Sequence, residues 1–235
     1  MPKIAMVAAL EREVAGLISR WARVEREYDG RKFIFFEQNE FVLVCGGIGV
    51  EAARRAAEAV IALYHPAQVQ SVGFAGALNR SLQVGDIFVP SAVIDAGDGS
   101  RIFISDVDSR NALVTFASVA GVQQKKNLAD AFGAKAVDME AIGVAAAAVA
   151  HGLDFTCVKA ISDELDFEMP GTDRFIDARG RFRTAAFVAF LTPRPWLWPR
   201  VAALDRHSRK AARALSSHLE HLVHEQNQPV EANTI

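Results

Sequence analysis

Short apolar runs alternate with alanine-rich stretches of helical period along most of this chain, and no other feature limits the fold as much. Residues 4–9 read as a strand and 11–21 as a helix. Residues 32–36 and 40–45 read as a strand pair. The turn Gly46-Gly47-Ile48-Gly49 then opens a helix over 51–63, and 69–74 is the next strand. Further strands are expected at 86–90, 93–94, 101–104 and 112–116, then a short helix at 125–132, a strand at 134–138, a helix at 140–151 and a strand at 156–160. From residue 173 the chain reads as helical, interrupted by Pro193, Pro195 and Pro199. Strands alternating with helices predict an α/β protein of three layers, α/β/α. A central twisted mixed sheet and a helical C-terminal extension are expected. One domain is expected over residues 1–225, with the extension beginning near 173. The polar stretch 226–235 is expected to be disordered.

Composition narrows the functional classes. The chain has 235 residues, 51% of them hydrophobic and 23% charged, with a formal net charge of −2. That balance belongs to a folded protein and argues against a disordered chain or a wholly basic nucleic-acid binder. Cys45 and Cys157 sit inside the apolar runs FVLVC and FTCV, as buried small hydrophobes in a reducing compartment do. The opening MPKIAMVAAL reads as a buried strand and not as a signal peptide. No apolar run reaches the ~18–20 residues of a membrane span. The expected location is cytoplasmic.

In open α/β sheets, ligands sit where strand C-termini meet helix starts, and chemistry-bearing residues cluster at several such places. Gly47-x-Gly49-x-x-Ala52 matches a loose dinucleotide fingerprint, but the next strand ends Ser71-Val72-Gly73-Phe74 without the carboxylate that would hold a ribose. We therefore read it as a tight strand-to-helix turn with backbone N–H groups to offer. Gly73 and Gly76 flank Phe74 at a strand end and allow close approach to a ligand. Glu11-Arg12-Glu13, Asp138-Met139-Glu140 and Ser162-Asp163-Glu164 each follow a strand. Helix capping accounts well for Asp138, and Ser162 or Asp163 could be a plain N-cap, but the helix start accounts less well for Met139-Glu140 at a junction aimed at the ligand crevice. Carboxylates converging from separate strand ends suit acid–base chemistry on a neutral or electron-poor ligand.

Five segments, in order, carry a resemblance. They are Ala8-Ala9-Leu10-Glu11-Arg12-Glu13-Val14, Gly46–Gly49, Gly73–Gly76 with Val84-Gly85-Asp86, Val137-Asp138-Met139-Glu140-Ala141, and Lys159-Ala160-Ile161-Ser162-Asp163. Together they resemble the methylthioadenosine/S-adenosylhomocysteine nucleosidases of the nucleoside phosphorylase/nucleosidase superfamily. The Asp-Met-Glu wording is also similar to the branch acting on adenosylhopane. The resemblance implies that Glu13 orients or activates the attacking water, and that Asp163 protonates the purine leaving group. It implies that Ser162 positions the base, Met139 packs on the ribose and Glu140 accepts hydrogen bonds from ribose hydroxyls. Ile48, Phe74 and Gly76 would line the pocket. The expected activity is hydrolysis of an adenosine-type, 5′-substituted purine nucleoside by a homodimer, with no cofactor, no metal and no nucleic acid involved. These residue types suit the reaction. Breaking an N-glycosidic bond builds positive charge on the sugar and negative charge on the base, so carboxylates belong beside the first and an acid beside the second.

The sequence also departs from the family. Phe74 stands where a small hydroxyl residue is usual, Lys159 where Arg is common, and the segment 90–134 is short. The base-stacking residue is not recognisable, with Phe116 and Phe175 as candidates. Phosphorolysis is the alternative within the class, although no cationic phosphate clamp stands on the early loops. A catalytically impaired nucleoside-binding protein is another. His218, His221 and His224 drift around one helix and read as a solvated face. From residue 179 to 213, nine Lys and Arg stand against one acid, Asp205, interleaved with Phe182, Phe187, Phe190, Trp196 and Trp198. This segment reads as a core-packed helix with a basic face, or as a surface for peripheral membrane contact.

Overall fold

The computed structural model describes residues 4–105, 111–168, 175, 177, 180 and 182–227. Its strands are β1 (Ile4–Ala8), β2 (Ala22–Tyr28), β3 (Arg31–Gln38), β4 (Phe41–Cys45), β5 (Gln68–Ala77), β6 (Ile87–Phe88), β7 (Ala92–Asp95), β8 (Arg101–Phe103), β9 (Ala112–Thr115), β10 (Ala136–Asp138) and β11 (Asp154–Asp163). Its helices are α1 (Glu11–Ile18), α2 (Val50–Tyr64), α3 (Val122–Phe132), α4 (Ala141–Ala150), α5 (Thr184–Leu191) and α6 (Trp198–Asn227). The strands form one mixed sheet in the order β2-β3-β4-β1-β5-β10-β9-β7-β8, with β11 on β5 and β6 on β11. Helices cover both faces, as the alternating pattern predicts.

The layers close because each helix presents an apolar stripe. On one face, Ala53, Ala56, Ala57 and Val60 of α2 pack with Val144, Ala145 and Ala148 of α4 in a cluster that includes Val7, Val42 and Val69. Small residues let these two helices approach closely. A Cβ on Gly143 would come within 2.4 Å of the Val50 carbonyl oxygen. On the other face, Val14 and Leu17 of α1 meet Ala211, Leu215, Leu219 and Val223 of α6, against Met6, Leu43, Val72 and Val158. The four α6 residues recur every four positions and form one helical stripe.

Strand β5 organises the site. Its first half pairs in parallel with β1, up to Val7 opposite Ser71. Its end pairs antiparallel with β10, beginning with Val137 opposite Gly76. Between these pairings, Val72–Ala75 have no strand partner on that edge, and the C-termini of β1 and β10 point toward each other across the opening. This is the topological switch point where α/β sheets hold ligands. On its other edge β5 follows β11 throughout, until a bulge between Ile161 and Asp163. Such a bulge re-aims side chains.

Several boundaries differ from the expected ones. β2 was not anticipated; its residues, ARVEREY, are largely exposed, so apolar alternation is absent. It reaches β3 through Asp29-Gly30, both at positive φ (49° and 68°), a two-residue hairpin turn. β5 and β11 each run three residues beyond the expected ends, into the site. The helix expected over 11–21 stops at Ile18, and α3 begins three residues early, at Val122. α6 continues to Asn227, so the first two residues of the stretch expected to be disordered are helical; 228–235 lie outside the described residues. Among the described residues no helix is long and apolar enough to cross a membrane.

Candidate active site

The opening beside β5 is a cavity of about 390 Å³. All eight residues singled out in the sequence line it: Glu13, Ile48, Phe74, Gly76, Met139, Glu140, Ser162 and Asp163. A second cavity of about 700 Å³ adjoins it at Ile48 and Met139. It is larger, but of the three carboxylates that line it Glu11 and Glu51 are exposed and Asp177 is half-buried.

One end of the site holds two buried glutamates. Glu13, in the first turn of α1, is 6% exposed. It lies against Gly73 so closely that a Cβ there would stand 2.8 Å from Oε2. That oxygen is buried without a hydrogen-bond partner among the described residues. Burial pushes the Glu13 carboxyl up to about 7, with Lys159 and Arg12 opposing. Glu140 precedes α4. Its Oε1 accepts the Gly49 N–H at 2.9 Å, and its Oε2 accepts the Met139 N–H at 3.2 Å. Burial first, and then the Asp138 charge, raise it to about 8. The glycine turn thus spends an N–H on Glu140, and the Ile48 N–H goes to the Gly180 carbonyl at 2.8 Å. Positive φ at Gly47 and Gly49 (101° and 100°) makes both contacts possible.

Beneath them lies a polar network. Lys159, 1% exposed, places Nζ 2.9 Å from Asp138 Oδ2 and donates to Ser71 Oγ at 3.1 Å. Burial works against the lysine charge, but Asp138, Cys157 and Glu140 together outweigh it and its pKa is raised. Asp138 also accepts from Thr115 Oγ1 at 2.7 Å and from the Ala141 N–H at 2.9 Å. It is therefore both a helix cap and the counter-ion of Lys159.

At the other end, Ser162 Oγ donates to Asp163 Oδ1 at 2.7 Å. Asp163 Oδ2 is ion-paired with Lys125 of α3, whose Nζ also donates to the Glu164 carbonyl at 2.6 Å. Lys125 was not anticipated. It is one half of a Lys-Lys pair on a short, mostly polar helix, and nothing local separates it from Lys126, which is exposed. The outer wall comes from Phe182, Phe187, Val201 and Leu204. Of the two candidate stacking residues, Phe116 packs against the cluster between α3 and β9. Phe175 stands edge-on behind Phe187, with centroids 5.2 Å apart. Neither lines the cavity; Phe182 and Phe187 do. Arg12 lies 5.9 Å from the Phe182 ring centroid.

Comparison with known proteins agrees with this architecture. A 5′-methylthioadenosine/S-adenosylhomocysteine nucleosidase of Bacillus licheniformis is 35% identical over 94 residues, 39% of this chain and 41% of that protein. The chain thus aligns with about two fifths of that relative's length. Three solved structures share the fold across nearly their whole length. The nucleosidase of the same name from Helicobacter pylori, solved with butyl-thio-DADMe-Immucillin-A, has a TM-score of 0.68 at 20% identity, covering 96% of this chain and 99% of that one. Futalosine hydrolase of Helicobacter pylori has a TM-score of 0.68 at 19% identity, covering 95% and 98%. Apo 5′-methylthioadenosine nucleosidase of Arabidopsis thaliana has a TM-score of 0.72 at 16% identity, covering 97% and 98%. The phosphorylase superfamily model matches residues 3–124 and 113–191, which takes in every segment that builds the cavity except the outer wall from α6, and the chain belongs to that superfamily.

Proposed function

We propose that the cavity takes an adenosine-type, 5′-substituted purine nucleoside and that water cleaves its N-glycosidic bond. The observation that carries this reading is the placement of unlike carboxylates along β5. Glu13 touches Gly73 and Asp163 touches Gly76. Gly73 and Gly76 stand three steps of strand apart, about 10 Å, a span that fits a ribose joined to a purine. Glu13, held near 7 with its Oε2 unpartnered among the described residues, is suited to take a proton from water. Glu140 faces the ribose hydroxyls and Met139 packs on the sugar. The buried carboxylates stabilise the positive charge that develops at C1′. Asp163 and Ser162 serve the departing purine, and Phe182 or Phe187 supplies an aromatic face for it.

The test is incubation with adenosine, 5′-methylthioadenosine and S-adenosylhomocysteine, with and without phosphate. Free adenine with free sugar in both conditions is expected. Sugar 1-phosphate formed only with phosphate would replace hydrolysis by phosphorolysis. Phe74 favours a second reading, because its ring lines the cavity where a hydroxyl would help place a nucleophile. Nucleoside binding by calorimetry without turnover would establish a binding protein instead.

A homodimer, and peripheral contact with an anionic membrane from a cytoplasmic location, are further parts of this proposal. Trp196 and Trp198, 69% and 56% exposed, support a contact surface beside Arg194 and Arg200. Sedimentation, and co-sedimentation with anionic vesicles at low and high salt, test the two separately.

A further inference from the structure

Lys125 is out of place as a purely structural residue. It is 1% exposed, and it sits in the first turns of α3, where the helix dipole disfavours a cation. A buried ammonium needs a partner to offset its desolvation, and the partner here is the carboxylate facing the cavity. Both Asp163 oxygens are occupied by protein donors: Oδ1 by the Ser162 hydroxyl and Oδ2 by Lys125. Both contacts use Asp163 as an acceptor, and the hydrogens that they share belong to Ser162 and Lys125. Of these two donors the ammonium is the stronger acid, and Lys125 lines the same cavity.

We propose that Lys125 supplies the proton that leaves with the purine, passing it through the Asp163 carboxylate. As the bond from C1′ to the base breaks, its electron pair goes to the purine. Lys125 Nζ gives its proton to Asp163 Oδ2 and becomes a neutral amine, and the carboxylic acid so formed gives a proton to a purine ring nitrogen. The oxygen of the attacking water bonds to C1′, and Glu13 takes the proton that water loses. After release, solvent takes the proton from Glu13 and returns one to Lys125, so the cycle closes. Lys125 acts through Asp163 and does not touch the substrate. This assignment rests on the nucleosidase reading.

The experiment compares 5′-methylthioadenosine, whose base needs a proton, with 4-nitrophenyl 5-methylthioriboside, whose leaving group does not. Lys125→Met is expected to lose about 10²–10⁴-fold in kcat on the nucleoside, and less than tenfold on the aryl riboside. Lys125→Arg keeps the charge, but a guanidinium does not give up its proton in proteins; it is expected to show the same selective loss. Equal losses on both substrates, or a Lys125→Arg variant with wild-type turnover of the nucleoside, would overturn the relay and leave Lys125 a structural counter-ion. If Lys125→Met does not fold, Lys125→Ala with added ethylammonium replaces it. Selective rescue of nucleoside cleavage supports the relay, and no rescue in a folded protein overturns it. A wild-type protein that cleaves neither substrate overturns the nucleosidase reading, and the relay with it.

Discussion

At the Gly73 end of β5, one Glu13 oxygen has no partner among the described residues and burial raises its carboxyl to about 7, whereas at the Gly76 end Asp163 has both oxygens held by Ser162 and Lys125. Both side chains are almost fully buried, so exposure does not distinguish them. The allocation of cations does. Lys125 is in direct contact with Asp163. Lys159 contacts Asp138, one residue short of Met139 and two short of Glu140, and reaches Glu13 and Glu140 only through space. One cavity thus holds two glutamates that desolvation pushes toward the neutral form, and aspartates, Asp163 and Asp138, committed to ion pairs with Lys125 and Lys159. Acid and base roles separate when environments drive like groups apart.

The strongest way to break this contrast is Asp163→Asn. Base release is expected to fall about 10²–10⁴-fold. Because Lys125 then loses its counter-ion, stability should fall by about 3–5 kcal/mol. Adding Lys125→Met should recover most of that stability and none of the turnover. Urea unfolding and adenine release check the two halves. If the single variant is as stable as wild type, the ion pair does not matter for folding.

Glu13→Gln probes the other end. Turnover should drop about 100-fold or more. In wild type, the acid limb of kcat/KM should rise with pH through about 7 as the Glu13 carboxyl loses its proton. Stability should move in the opposite sense. The folded value lies above the ordinary 4.5, so the stabilisation is complete below pH 4.5 and is lost as pH rises through 7. Above pH 7 the Gln variant should therefore be the more stable, by up to about 3 kcal/mol. Unfolding at pH 5 and at pH 8.5 reads the difference; no crossover would mean that Glu13 is not the desolvated group.

Glu140→Gln sharpens the comparison within the sugar end. Nucleoside affinity should weaken by about 1.5–3 kcal/mol once the wild-type carboxyl is ionised, that is, above about pH 8, and by less below it. Affinity for free adenine should not change. Equal losses for both ligands, measured by calorimetry, would remove Glu140 from the ribose.

The smallest effect is expected at Gly76→Ala. The new Cβ would sit 2.8 Å from Asp163 Oδ2, so the carboxylate must shift by some tenths of an ångström. A loss of about tenfold in kcat, or 1.4 kcal/mol, with little change in melting temperature, is the expected result.

Much of the site was legible in the chain because strand ends are local. Glu13, Met139, Glu140, Ser162 and Asp163 each follow an apolar run at a strand-to-helix junction or a strand end, and α/β geometry gathers such places into one crevice. Asp29-Gly30 was a readable hairpin signal, yet β2 was missed because its exposed edge carries no apolar alternation. Lys125 left no trace. Its partner lies 38 residues away, and in sequence it is indistinguishable from Lys126.

Sequence alone determined the fold class, the order of the elements apart from β2, and eight of the residues that line the cavity. Those follow from the period of apolar residues and from polar residues at strand ends, both properties of a few neighbouring positions. Only the tertiary structure decided which lysine neutralises which carboxylate, which glutamate oxygen lacks a partner among the described residues and which carboxyls burial raises. Coulomb attraction depends on separations of a few ångströms and desolvation on complete enclosure. Both are set when β5, β10, β11, α1 and α3 pack together, so no single segment of the chain carries them.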